Sequence, residues 1–129
     1  MPNAKKIKVL LVEDEKTLSE MYSLKFEREG MEVVVIDNGG GVFSQAQSTK
    51  PDIILLDIIL PQEDGFSVLK ELKSAADTKK IKVLMLTNLG QDEDIKKGKD
   101  LGADGYLVKS NLTPAQVVDK IKEVLKIKN

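Results

Sequence analysis

Short apolar runs alternate with helical stripes along the chain. Residues 7–12, IKVLLV, are apolar and β-branched enough for a buried strand. EKTLSEMYSLKFEREG then changes period: Leu18, Met21, Tyr22 and Phe26 share one side of a helix, and Gly30 is placed to cap its C-terminus. Residues 31–36, MEVVVI, predict a second strand. NGGGVFSQAQSTK is a poor helix because consecutive glycines disfavour one, so only a short helix is expected, from about Val42. DIILLD predicts a third strand, with Pro51 stopping the helix before it.

Beyond a loop at residues 61–65, FSVLKELKSA is helical, with Phe66, Leu69 and Leu72 facing inward. Residues 81–87, IKVLMLT, predict a fourth strand. DEDIKKGKDLG follows as a helix weakened by Gly98 and ended near Gly102. Residues 104–109, DGYLVK, predict a fifth strand. TPAQVVDKIKEVLKIK carries the strongest helix signals. Thr113 is the N-cap, Pro114 takes the first helical position and Gln116 completes a capping box. Val117, Ile121, Val124 and Leu125 form its buried stripe, and Lys126 and Lys128 suit its C-terminal end.

Strands that read as continuous apolar runs are buried on both faces, as in a parallel sheet covered by helices. Five β–α units with short connections therefore predict one α/β domain spanning residues 1–129. The expected architecture is a doubly wound five-stranded parallel sheet of order 2-1-3-4-5, the flavodoxin-like (βα)5 arrangement.

Composition narrows the chemistry. Among 129 residues there are 20 basic and 21 acidic side chains, and a net charge of -1 supplies no bulk attraction to nucleic acid or membrane. Neither cysteine nor histidine is present, which excludes disulfides, thiol catalysis and any triad that needs an imidazole base. No apolar run reaches the roughly 20 residues of a membrane span. MPNAKKIKV carries no apolar signal core, so a soluble cytoplasmic protein is expected.

The polar residues at the strand ends carry the functional signal. Strand one runs into Glu13 and Asp14, strand three into Asp57, strand four into Thr87 and strand five into Lys109. In an open parallel sheet these ends share one edge, with the ligand crevice between strands one and three. Glu13, Asp14 and Asp57 should converge there, with Thr87 and Lys109 reaching in from the far side. Clustered carboxylates need a counter-charge, and all-oxygen ligands favour Mg²⁺. A carboxylate beside Mg²⁺ can attack phosphorus and become an acyl phosphate. The metal and Lys109 would neutralise the phosphoryl oxygens, and Thr87 would hydrogen-bond one of them. No general base is needed, because an ionised carboxylate is already a nucleophile.

Singly, each residue has a purely structural reading. Asp57 could cap a turn, Glu13 and Asp14 the first helix; Thr87 could fill a strand, Lys109 could lie along the surface and Tyr106 could be core. Their conjunction on one edge favours the chemical reading. Lysine-rich stretches such as KSAADTKK and IKKGKD read as solvated helix faces.

VLLVEDE, PDIILLDIILPQEDGFSVL, VLMLTN and GADGYLVKS resemble the receiver domain of bacterial two-component response regulators, chemotaxis-type single-domain receivers included. The resemblance implies that Asp57 accepts a phosphoryl group from a phosphohistidine on a sensor histidine kinase or phosphotransfer protein. It implies that Glu13, Asp14, Asp57 and the backbone carbonyl of Ile59 hold Mg²⁺, and that Thr87 and Lys109 contact the phosphoryl group. Tyr106 would be the switch residue, and the face of helix 4, strand 5 and helix 5 would receive a downstream partner. Such a domain promotes its own phosphorylation and dephosphorylation, yet it is mainly a switch.

One departure bears on the site: the family usually has proline after the strand-five lysine, and here the residue is Ser110, which puts the aim of Lys109 in question. Gly98 and the glycines at 39–41 are expected to soften two helices. Apolar Ile59 and Leu89 are expected to limit the approach of water to the phosphoryl group.

Rival α/β functions fit less well. A flavin mononucleotide binder would need a hydroxyl- and glycine-rich loop where this chain has acidic EDEKTLS. A haloacid-dehalogenase-type phosphatase carries its Asp-x-Asp after strand one, and no Walker loop is present. The expectation is a stand-alone receiver; the alternative is the receiver of a longer regulator with an output domain, for example a DNA-binding one.

Overall fold

The computed structural model describes residues 6–127, so the start of MPNAKKIKV, residues 1–5, and Lys128 lie outside the described residues. The elements follow in the order β1 (Lys8–Val12), α1 (Lys16–Arg28), β2 (Glu32–Ile36), α2 (Val42–Thr49), β3 (Ile53–Leu56), α3 (Gly65–Ser74), β4 (Lys82–Thr87), α4 (Asp92–Asp100), β5 (Gly105–Val108) and α5 (Pro114–Val124). All neighbouring strands pair in parallel, and the sheet order is β2-β1-β3-β4-β5. This is the doubly wound arrangement that the alternation of periods implies.

Residue parity along the strands builds two cores. Val9, Leu11, Ile53, Leu55, Leu84 and Leu86 face one side, where Tyr22 and Phe26 of α1 and Val117 and Ile121 of α5 cover them. Leu10, Val12, Ile54, Leu56, Val83 and Met85 face the other, under Val42 and Ala46 of α2 and Val68, Leu69 and Leu72 of α3. Removing a side chain such as Leu55, fully buried here, costs about 2–5 kcal/mol through lost transfer energy and the cavity left behind.

The caps behave as their chemistry requires. The Thr113 hydroxyl accepts from Gln116 N and the Gln116 side chain accepts from Thr113 N, closing the capping box of α5. Asp64 caps α3, accepting the Ser67 N–H at 3.1 Å, and that bond holds its carboxyl below the usual carboxylate range against a smaller opposing effect of burial. Gly30 follows α1 at φ +85, a backbone that L side chains resist.

Several expectations need correction. Met21 is 41% exposed rather than inward, because α1 rests on Tyr22 and Phe26. β2 is an apolar run, yet as the sheet edge it is only half-buried, and Val35 lies 43% exposed. Lys73, in the stretch read as a solvated face, instead donates to the carbonyl of Ile81 at 2.9 Å and to Asp104 at 3.1 Å.

Nor do the glycines at 39–41 merely soften a helix. They form a 3₁₀ turn whose first N–H donates to Pro61 O at 3.0 Å. A Cβ on Gly39 would lie 1.9 Å from Glu63 O, so only glycine lets the post-β2 turn lie against the post-β3 loop. Among the described residues no helix is long and apolar enough to cross a membrane.

Candidate functional site

Sheet register brings the acidic residues together. Val12 pairs with Leu56, so Glu13 and Asp57 leave the sheet at the same level on adjacent strands. Glu13 N still donates to Ile36 O at 2.9 Å, which holds the first residue past β1 in place. A carboxylate oxygen from each of Glu13, Asp14 and Asp57 falls within 4.8 Å of the others. Glu13 and Asp57 are 2% and 6% exposed, whereas Asp14 lies open to solvent. Beside Glu13 and Asp14, a groove of ≈ 560 Å³ runs between α1 and the end of β2.

Lys109 arrives from the far side of the sheet. Its Nζ lies 2.5 Å from Glu13 Oε1 and 2.6 Å from Asp57 Oδ2, with only 9% of the side chain exposed. The aim that Ser110 put in question is therefore settled as geometry: the ammonium points into the acidic cluster. The remaining oxygens of both buried carboxylates also have donors. Glu13 Oε2 accepts from Glu15 N at 3.0 Å, and Asp57 Oδ1 accepts from Ile58 N at 2.7 Å and, more weakly, from Ile59 N at 3.4 Å. Backbone N–H groups and one ammonium are thus what compensates a carboxylate placed among Leu56, Ile58 and their apolar neighbours.

Burial by itself would lower the Lys109 pKa. The hydrogen bonds and negative charge of Asp57 and Glu13 outweigh it and hold the group above the ordinary lysine value, so it is a permanent cation at neutral pH. Three carboxylates against this ammonium still leave negative charge in excess. All-oxygen donors in that arrangement fit a hard divalent cation, and Asp14, exposed and with no lysine or arginine bridged to it among the described residues, is the one left most open to such an ion.

Thr87 is fully buried at the end of β4. Its Oγ1 accepts a long bond from Leu89 N at 3.4 Å, and among the described residues no hydrogen bond joins it to Asp57. Tyr106 is half-buried and donates its hydroxyl to the Leu89 carbonyl. Burial, then the charges of Asp94 and Asp57, push its pKa up to about 12. A Cβ on Gly98 would lie 3.0 Å from the Tyr106 ring, so the glycine of α4 makes room for that ring rather than merely weakening its helix. Ile59 stands 64% exposed beside Asp57, and Leu89 is half-buried.

Two features of the site lie outside the motif residues. Gly65 starts α3 so close to Asp57 that a Cβ would lie 2.1 Å from its carbonyl oxygen; the Asp64-Gly65 pair before an apolar helix could have signalled it. The Asn88 side chain accepts the Ser110 N–H at 3.0 Å, a long-range pairing with no local signature.

Fold and site together define an α/β domain of one class: a doubly wound parallel sheet with carboxylates and a lysine gathered at its topological switch point. The chain belongs to the response regulator receiver domain family, whose model matches residues 9–122. It is 36% identical over 119 residues to the phosphate regulon transcriptional regulatory protein PhoB of Escherichia coli, covering 92% of this chain and 52% of that protein. The chain spans about half the length of the PhoB relatives it matches. Among solved structures it resembles chemotaxis response regulator CheY4 of Vibrio cholerae, with TM-score 0.86 and 30% identity over 93% of this chain and 99% of that one. It also resembles the Mn²⁺-bound form of response regulator Rcp1, with TM-score 0.78 and 29% identity over 89% of this chain and 91% of that one.

Proposed function

We propose that Asp57 is the phosphoacceptor of this receiver, taking a phosphoryl group from a phosphohistidine of a sensor histidine kinase or phosphotransfer protein. The observation that carries the reading is Lys109 Nζ at 2.6 Å from Asp57 Oδ2, within a cluster of carboxylates. An Asp57 oxygen attacks phosphorus, the phosphorus–nitrogen bond to the donor imidazole breaks, and the electron pair leaves with the imidazole, which takes a proton from solvent. Lys109 meets the charge on the transferred oxygens, and Thr87 donates its hydroxyl to one of them.

Glu13, Asp14, Asp57 and the backbone carbonyl of Ile59 would hold Mg²⁺, which supplies positive charge to the carboxylates and the phosphoryl oxygens. The oxygen-only donor set supports this assignment, as does the Mn²⁺ named for Rcp1.

Phosphorylation adds negative charge beside Thr87 and Lys109 and so biases a two-state equilibrium. Tyr106 and the Leu89 carbonyl are the elements that would register it, passing the change to the face of α4, β5 and α5, where a downstream target docks. Ile59 and Leu89 would limit in-line water and lengthen the life of the acyl phosphate. The reading places the chain in the cytoplasm, and it holds for a receiver acting alone or joined to an output domain.

Incubation with Mg²⁺ and acetyl phosphate, followed by intact mass, tests it. One phosphoryl increment is expected on wild type and none on Asp57→Asn; an increment that survives the substitution would sink the assignment.

A further inference from the structure

We propose that Asn88 is a positioning residue that ties the Thr87 and Lys109 ends of the site together through the backbone N–H of Ser110. The inference deepens the phosphoryl-transfer reading and rests on it.

The β4–β5 ladder ends at the pair Thr87 and Val108. Beyond that pair the two chains leave the sheet, and ladder bonds no longer set their separation. Asn88 follows Thr87 directly, and Ser110 follows Lys109 directly. The bond from Ser110 N to Asn88 Oδ1, at 3.0 Å, adds one rung past the end of the ladder. Both residues are exposed, so the bond does not serve a buried core.

A second bond grips the same loop from the strand side, where the Tyr106 hydroxyl donates to Leu89 O. Residues 87–89 are thus held to β5 before Lys109 and to the 3₁₀ turn Lys109–Asn111 after it. A hydroxyl and an ammonium that must meet one phosphoryl group gain from a fixed separation, since misplacement of either lowers the rate. Proline at position 110 could not supply this rung, because it has no N–H. The serine therefore supplies a donor, and Asn88 is the acceptor that uses it.

The test measures the phosphorylation rate with acetyl phosphate and Mg²⁺ by intact mass, and hydrogen exchange of the Ser110 amide. Asn88→Ala and Ser110→Pro should each slow phosphorylation about threefold to tenfold, the worth of one hydrogen bond. The double variant should be no slower than the slower single variant, since both cut the same rung. Ser110→Ala keeps the N–H and should retain the wild-type rate, which separates the backbone donor from the hydroxyl. The Ser110 amide should exchange several-fold faster in Asn88→Ala than in wild type.

An unchanged rate in Asn88→Ala, multiplicative effects in the double variant, or a slow rate in Ser110→Ala would overturn the proposal. Rapid exchange of the Ser110 amide in wild type would overturn the tie alone. A wild-type protein that takes up no phosphoryl group would overturn the phosphoryl-transfer reading and this inference with it.

Discussion

The two edges of the sheet use the same residue types to opposite ends. At the N-terminal edge, Asp52 stands before β3 and accepts the Lys8 N–H of the neighbouring strand at 2.8 Å. Asp104 stands before β5 and does the same for Val83 N at 2.8 Å, while Lys73 and Lys82 bring their ammonium groups to 3.1 and 3.8 Å. These carboxylates are dispersed, and each has its own donors. At the C-terminal edge, Glu13 and Asp57 share one lysine, and Asp14 stands close by. Dispersed charge with matched donors stabilises the fold. Clustered negative charge in excess of its one ammonium fits a cation.

Substitutions at the two edges should therefore separate activity from stability. The largest contrast is in labelling: Asp57→Asn should lose all phosphoryl uptake by intact mass, whereas Asp104→Asn should keep it. Next comes Mg²⁺, which should stabilise wild type by about 2.7 kcal/mol at a hundredfold excess over its dissociation constant. Thermal melts should show that gain shrinking in Asp14→Asn and persisting in Asp104→Asn. Asp104→Ala should cost about 2 kcal/mol in urea unfolding, because it strands the Val83 N–H and leaves Lys73 without its carboxylate.

Asp14→Asn should act in the opposite direction. Without metal it relieves repulsion and should stabilise by about 0.5 kcal/mol, and equal stability loss at both edges would erase the distinction between them. The last contrast is alkaline and lies outside the neutral range. The Tyr106 phenol is pushed up to about 12 from 10.0, so the folded state keeps a proton that the unfolded chain releases. Its contribution to stability is complete below pH 10 and is lost as pH rises toward 12. Absorbance titration should show that step vanish in Tyr106→Phe and move down in Asp57→Asn, with Asp104→Asn leaving it in place.

Legibility differed between the two edges as well. Glu13, Asp14, Asp57, Thr87 and Lys109 stood out because each interrupts or ends an apolar run, and the register carries the Glu13, Asp14, Asp57 and Lys109 charges to one place. Asp52 and Asp104 carried no such mark, since a carboxylate before a strand also reads as an ordinary turn residue. Lys73 of KSAADTKK reads as solvated because its partners, Ile81 O and Asp104, lie elsewhere in the chain. Gly39 and Gly98 looked like weak points because helix propensity counts only local backbone freedom. Their use lies in a close approach to Glu63 and to Tyr106.

Periodicity and chain order alone determined the five β–α units, the capping box of α5 and the set of polar residues at the strand termini, because burial on two faces and local hydrogen bonding leave a local record. Tertiary structure alone decided that one ammonium would bridge Glu13 and Asp57, that Lys73 would reach Ile81 O and Asp104, and that Asn88 would meet Ser110. Those pairings join residues far apart in the chain. Their distances follow from strand register and from where the backbone turns after each strand, and no residue carries that information by itself.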